Sequence, residues 1–203
     1  TDFRYFEQVK HQAPACELVE ITSSTRDALA AQIAALGVQR VGFESHVISV
    51  ETFERWKQVI DGVEWVATSD LVEDLRQVKD ASEIETITEA VRIADEAMAH
   101  IMEWIRPGMT EREIAWELEV SMRTRGAEAL SFTTIVASGP NAAMPHAVTS
   151  DRVVQVGDPL VIDMGALYQG YCSDLTRSFC VGEASDEYKA VWDVVLKAQL
   201  AAE

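Results

Sequence analysis

Apolar positions in the first 75 or so residues fall in short clusters separated by stretches with helical spacing. "ELVEI" (17–21), "RVGFE" (40–44) and "EWVAT" (64–68) have the β-branched and aromatic content of strands. Between them, "TRDALAAQIAALG" reads as a helix capped at Thr25 and closed by Gly37, and "VETFERWKQVI" (50–60) as a helix ended by Asp61-Gly62. Strand–helix alternation with short links is the pattern of an α/β layer. The opening "TDFRYFEQVKH" reads as though it begins inside a strand.

Between about 70 and 80 the pattern changes. A long amphipathic helix follows, with a capping box from Ser82 and Glu85, apolar residues at Ile84, Ile87, Ala90, Val91, Ala94 and Met98, and a stop at Pro107-Gly108. Thr110 and Glu113 cap a second helix that Gly126 closes. "SFTTIVAS" (131–138) is strand-like and leads through a Gly-Pro-Asn turn into an irregular stretch to about 157. A hairpin follows, rising through "DPLVID" and returning through "GYCSDLTRSFCV". A last amphipathic helix opens at Ser185 and runs to the end of the chain without a cap. The expected organisation is therefore a partial α/β domain over residues 1–74 and an α+β domain with an antiparallel sheet over residues 75–203. Too few strands for a full α/β layer, no initiator Met and an uncapped last helix together predict a piece of a longer protein.

Composition narrows the partners. The chain has 203 residues, 48% of them hydrophobic and 25% charged, with a net charge of −17. That is ordinary globular composition with a strong acidic excess, which argues against nucleic acid or an anionic membrane as partner and suits cations. Cys16, Cys172 and Cys180 form no metal-ligand spacing, and so few cysteines read as reduced and cytoplasmic. No run approaches the roughly 20 apolar residues of a membrane span, and the start is no signal peptide.

The hairpin concentrates the chemistry. A loop centred between Tyr168 and Gln169 would set Asp163 directly opposite Asp174, with Cβ atoms about 4.5–5.5 Å apart, where like charges repel. Such a pair is exposed, shares a proton, or binds a cation. Asp163 ends the apolar run Leu160-Val161-Ile162, and Asp174 stands among Cys172, Leu175, Thr176 and Phe179. Those flanks argue against simple exposure, because embedded carboxylates keep a partner. Hard oxygen ligands suit Mn²⁺, Mg²⁺ or Ca²⁺. Upstream, His146 follows a proline in the loop "SGPNAAMPHAVTSD", where it is either an exposed loop residue or a group that handles protons. His11, His46 and His100 have nothing around them that singles them out.

With "LRQVKDASEIE", "GMTEREIAWELE", "SFTTIVASGPNAAMPHA" and "GDPLVIDMGALYQGYCSDLTRSF", the chain resembles the prolidase and Xaa-Pro aminopeptidase family of metallopeptidases. The resemblance implies a creatinase/prolidase-like N-terminal domain. It also implies the first half of the pita-bread catalytic fold shared with methionine aminopeptidase. By position, Asp163 and Asp174 resemble the first two metal-ligating aspartates of a site for two divalent ions, Mn or Co, and His146 resembles the histidine that contacts substrate and assists proton transfer. The family's remaining ligands, one histidine and two glutamates, have no match here, since Glu183, Glu187 and Glu203 stand in a helical context. The resemblance implies hydrolysis of the bond before proline in peptide substrates by the intact protein, as a homodimer, with this chain alone inactive. The opening "TDFRYFEQ" favours a dipeptidase over an aminopeptidase. A non-catalytic binding module and a metal-free, creatinase-like amidinohydrolase are the alternatives.

Overall fold

The computed structural model describes residues 1–202, so Glu203 lies outside the described residues. The chain divides into two compact units, Thr1–Val78 and Lys79–Glu203.

In the first unit, helix α1 (Phe6–Gln12) follows a single 3₁₀ turn at Phe3–Tyr5, where the sequence had suggested a strand. Helix α2 (Thr25–Leu36) is capped one residue earlier than expected, by Ser24, whose hydroxyl accepts from the Asp27 N–H. Gly37 closes it in the left-handed conformation. Strands β1 (Arg40–Glu44) and β2 (Glu64–Thr68) pair in parallel, Arg40 opposite Glu64, and are linked through helix α3 (Val50–Lys57). Phe43, Phe53, Trp56 and Trp65 pack as an aromatic cluster, the rings of Phe43 and Phe53 stacked at 4.3 Å. Helix α4 (Leu71–Gln77) ends the unit.

Residues 17–21 do not form a strand. They meet the start of the chain through two hydrogen bonds, Ile21 N–H to Thr1 O and the Thr1 amino group to Val19 O, both 2.8 Å. Residue type alone makes no strand where no ladder is available to join.

The second unit is built on helices α5 (Ala81–Trp104) and α6 (Glu111–Thr124). The α6 cap is the expected Thr110–Glu113 box. The α5 box is formed by Asp80 and Glu83 instead of Ser82 and Glu85, and the Ser82 hydroxyl donates to Asp80 at 2.7 Å. The buried stripe of α5 is Ala90, Ile93, Ala94, Ala97, Met98 and Ile101, whereas Ile84 and Val91 are exposed. All of it but Ala90 joins Ile114, Leu118 and Met122 of α6, and buried strand residues such as Val136, Leu160, Ile162 and Met164, in one core.

The two helices pack against short antiparallel strands. Strand β3 (Ala129–Leu130) joins β6 (Ala166–Tyr168) and β7 (Tyr171–Cys172) in one sheet. Strand β4 (Ile135–Ser138), shorter than the stretch 131–138 suggested, joins β5 (Pro159–Met164) and β8 (Leu175–Cys180) in another. Along β5, Leu160, Ile162 and Met164 are fully buried, while Pro159, Val161 and Asp163 alternate with them on the opposite, half-buried face. Helix α7 (Asp186–Ala202) closes the description and leaves Val194, Val195 and Leu200 exposed. Among the described residues no helix is long and apolar enough to cross a membrane.

Candidate functional site

The register of the hairpin differs from expectation. Tyr168 pairs with Tyr171, so the turn is Gln169-Gly170, and Asp163 stands opposite Thr176 instead of Asp174. Gln169 has φ 46° and Gly170 φ 80°, the two positive values that a tight two-residue hairpin turn of the favoured hand requires. Centring the loop one residue early shifted every pair. Asp174 precedes β8 by one residue and lies two before Thr176. A regular ladder continued by one pair would set it diagonally from Asp163, about 7–8 Å away between Cα atoms.

The hairpin does not run on as one ribbon. At Gly165 the chain passes from the β4–β5–β8 sheet into the β3–β6–β7 sheet. A Cβ at this position would lie 1.9 Å from the Ser173 carbonyl oxygen, so only glycine lets the two backbones approach so closely. The crossing is pinned by hydrogen bonds. The Ser131 N–H donates to Gly165 O and the Ser173 N–H to Ala166 O. The Ser131 hydroxyl donates to Ser173 O at 2.8 Å, and the Ala166 N–H donates to the Ser173 hydroxyl at 3.0 Å. Asp174 thus follows directly on a buried, fully engaged Ser173.

Asp163 is half-buried and accepts a 2.8 Å hydrogen bond from the Thr176 hydroxyl, whereas Asp174, which its flanks had marked as embedded, is exposed because it lies outside the ladder, between Ser173 and the start of β8. Neither makes an ion pair among the described residues. Two carboxylates close in the fold, both without a cationic side chain, are a hard oxygen donor set of the kind divalent cations take, so these residues fit part of a metal site. They are two ligands only. Among the described residues the group of three potential ligands whose donor atoms lie within 4.8 Å of one another is His46, Asp70 and Glu73, all exposed and all in the first unit. The sequence had set His46 aside, because its neighbours in space come from beyond the next strand.

His146 stands in an exposed turn after Pro145. The next three residues, Ala147, Val148 and Thr149, line an open groove of about 570 Å³ together with Trp116, Thr134 and Ile135. Ile135 is the cross-strand neighbour of Asp163. The groove therefore joins the strand row that carries Asp163 to the segment that carries His146. Thr149 also caps the outer edge of β4, its hydroxyl accepting from the Val136 N–H at 2.9 Å and donating to Thr134 O at 3.1 Å.

The sequence did not reveal Glu111. It is the first residue of α6, where an acidic side chain ordinarily sits in water and favours the helix dipole. Here it is completely buried. Oε1 accepts from the Ser138 N–H (2.7 Å), the Ser138 hydroxyl (2.8 Å) and Asn141 Nδ2 (3.1 Å). Oε2 accepts from the Ser150 N–H (3.0 Å) and the Ser150 hydroxyl (2.7 Å). Beside it, Arg152 donates to the Ser138 hydroxyl and makes a two-pronged pair with Asp158, at 2.6 and 3.1 Å. Burial pushes the Glu111 carboxyl up, but the hydrogen bonds from Ser150, Ser138 and Asn141 outweigh it and hold the group below the ordinary glutamate range. The Arg152 guanidinium holds Asp158 below its usual range as well, against partial burial.

Both groups are more acidic folded than unfolded, so their stabilising contribution is complete above the unfolded values of about 4 and is lost as pH falls through the folded ones. The urea midpoint is expected to be flat near neutral pH and to drop in acid. The variant Glu111→Gln should start from a lower midpoint and show a shallower acid drop. An acid limb as steep as that of the parent would show that Glu111 is not the group being protonated.

Comparison with known proteins agrees with this architecture. Residues 1–78 match the creatinase/prolidase N-terminal domain, and residues 85–203 match metallopeptidase family M24. An uncharacterized peptidase of Bacillus subtilis is 42% identical over 199 residues, covering 98% of this chain and 56% of the relative. The solved Xaa-Pro dipeptidase from Bacillus anthracis superposes with a TM-score of 0.93 at 46% identity, covering 98% of this chain and 56% of that one. The X-Pro aminopeptidase from Thermotoga maritima gives 0.88 at 41% identity with the same coverage. The chain thus spans little more than half the length of these relatives. With more than half of its residues matched by one family model and its first unit matched by the N-terminal domain that accompanies prolidases, the chain belongs to metallopeptidase family M24.

Proposed function

We propose that the full-length protein is a divalent-metal-dependent peptidase that hydrolyses Xaa-Pro bonds, with dipeptides as the preferred substrates, in the cytoplasm. The observation that carries this reading is the pair of carboxylates without cationic partners, Asp163 and Asp174, with Ile135, the cross-strand neighbour of Asp163, lining a groove that continues to the residues after His146. The names of the relatives, a dipeptidase and an aminopeptidase both specific for X-Pro, support the substrate class.

In this reading Asp163 and Asp174 hold metal, and Thr176 fixes the orientation of Asp163 through its hydroxyl. Divalent ions bound there supply Lewis acidity that polarises a carbonyl and makes water nucleophilic at neutral pH. His146, exposed and without a hydrogen bond among the described residues, is free to approach the substrate and move a proton at the scissile bond. Two carboxylates fall short of the roughly six ligands that oxygen-rich sites take, so residues 1–203 alone are inactive in this reading.

The test is hydrolysis of an Xaa-Pro dipeptide by the full-length protein with Mn²⁺ or Co²⁺. Activity is expected to vanish on chelation and return with added metal. Full activity in a thoroughly chelated sample would overturn the metallopeptidase reading and favour the creatinase-like alternative.

A further inference from the structure

Residues 139–149 leave the sheet at Ser138, the last residue of β4, and run to Ser150, which lies outside any strand; His146 sits within this stretch. Both ends of it, and Asn141 inside it, are hydrogen-bonded to one carboxylate, that of Glu111. The backbone repeats the attachment, since the Glu111 N–H donates to Arg152 O and the Arg112 N–H to Ser150 O, both at 3.1 Å. Arg152 adds a second layer by binding the Ser138 hydroxyl while it is held by Asp158. His146 itself is held by none of these bonds, so its position follows from where the segment is fastened.

We propose that Glu111 is the positioning residue for His146: by fastening both ends of the 139–149 segment to the start of α6, it sets where the imidazole stands relative to β4, the strand that pairs with the Asp163 strand. This rests on the reading of His146 as the group that moves a proton. Glu111 accepts from every neighbour and donates to none, so a neutral isostere cannot replace it. A glutamine can turn its oxygen towards Ser138 or towards Ser150, and its NH₂ then meets N–H donors at the other end. One end of the segment loses its charge-assisted hold and is kept only by the bonds of β4, the Arg112 N–H and the Thr149 hydroxyl, while the fold keeps its volume.

The experiment compares Glu111→Gln with Asp80→Ala in the full-length protein. Asp80 caps α5 and touches no part of this network, so its removal lowers stability without releasing the segment. Amide hydrogen exchange over residues 141–149 is expected to quicken about tenfold or more in Glu111→Gln, the loss of charge-assisted hydrogen bonds, while β5 and β8 keep their protection. Exchange in Asp80→Ala should match the parent over that stretch. With an Xaa-Pro dipeptide, kcat is expected to fall about tenfold in Glu111→Gln with KM unchanged, as for a misplaced group that acts only in the transition state.

Unchanged exchange in Glu111→Gln, or equal quickening in Asp80→Ala, would overturn the proposal. So would a loosened segment with unchanged kcat in a protein that His146→Ala inactivates. Full activity in His146→Ala would instead sink the role given to His146 and the positioning claim with it. The exchange data, which need no activity, tell that failure apart from a clamp that does not exist.

Discussion

Replacing Asp163 with Asn in the full-length protein is expected to lower kcat/KM for an Xaa-Pro dipeptide by about 100-fold or more, because an amide is a poor metal ligand and carries no charge. The substitution keeps the shape of the side chain, and its oxygen still accepts the Thr176 hydroxyl that Asp163 accepts at 2.8 Å. The fold should therefore survive, with a melting temperature close to that of the parent. Metal content measured on the purified variant should fall in parallel with activity. Thr176→Val, which removes only the orienting hydrogen bond, should cost about 10-fold. Parent-level hydrolysis by Asp163→Asn at unchanged metal content would remove Asp163 from the site.

The second large effect is on stability. Gly165→Ala puts a Cβ where the Ser173 carbonyl oxygen already stands, 1.9 Å away, with the Ser131 hydroxyl at 2.8 Å. The obstacle is backbone pinned by Ser131 and Ser173, so neither side can give by a rotamer change. The expected loss is about 3 kcal/mol or more, the upper part of the overpacking range. For a chain of this size that corresponds to a fall in melting temperature of roughly 6–12 °C. Gly170→Ala, in the open turn with nothing near its Cβ position, carries only the strain of a positive φ and should cost less. Equal melting temperatures for the two variants would refute the close approach at Gly165. Because Asp163 and Asp174 flank this crossing, Gly165→Ala should also weaken metal binding in whatever protein remains folded.

The candidate chemistry was readable in part. Asp163, Asp174 and His146 stand out by residue type and by the patterns around them, and the family motifs add to that. Their mutual register was not readable, because it depends on which two residues take positive φ. Gln169 gives little local sign that it is one of them. The α5 cap shows the same limit, since Asp80 and Ser82 both have a glutamate three residues on. The choice falls to Asp80, with Ser82 donating to it. Glu111 was hidden for a different reason. An acid after a Thr cap looks the same whether it faces water or not, and the donors that bury it come from residues 27 to 39 positions away.

By itself the sequence determined the kinds and order of most elements: the parallel β1–α3–β2 unit, the long helices α5 and α6 with the Thr110 box, and an antiparallel hairpin bearing two aspartates. These follow from periodicities and caps that act within a few residues. Only the tertiary structure decided that residues 17–21 form no strand, that Asp163 faces Thr176, that the hairpin splits between two sheets at Gly165, and that Glu111 is buried under donors from both ends of the His146 segment. Each of those outcomes depends on a partner brought from a distant stretch of chain, and no local pattern specifies which partner arrives.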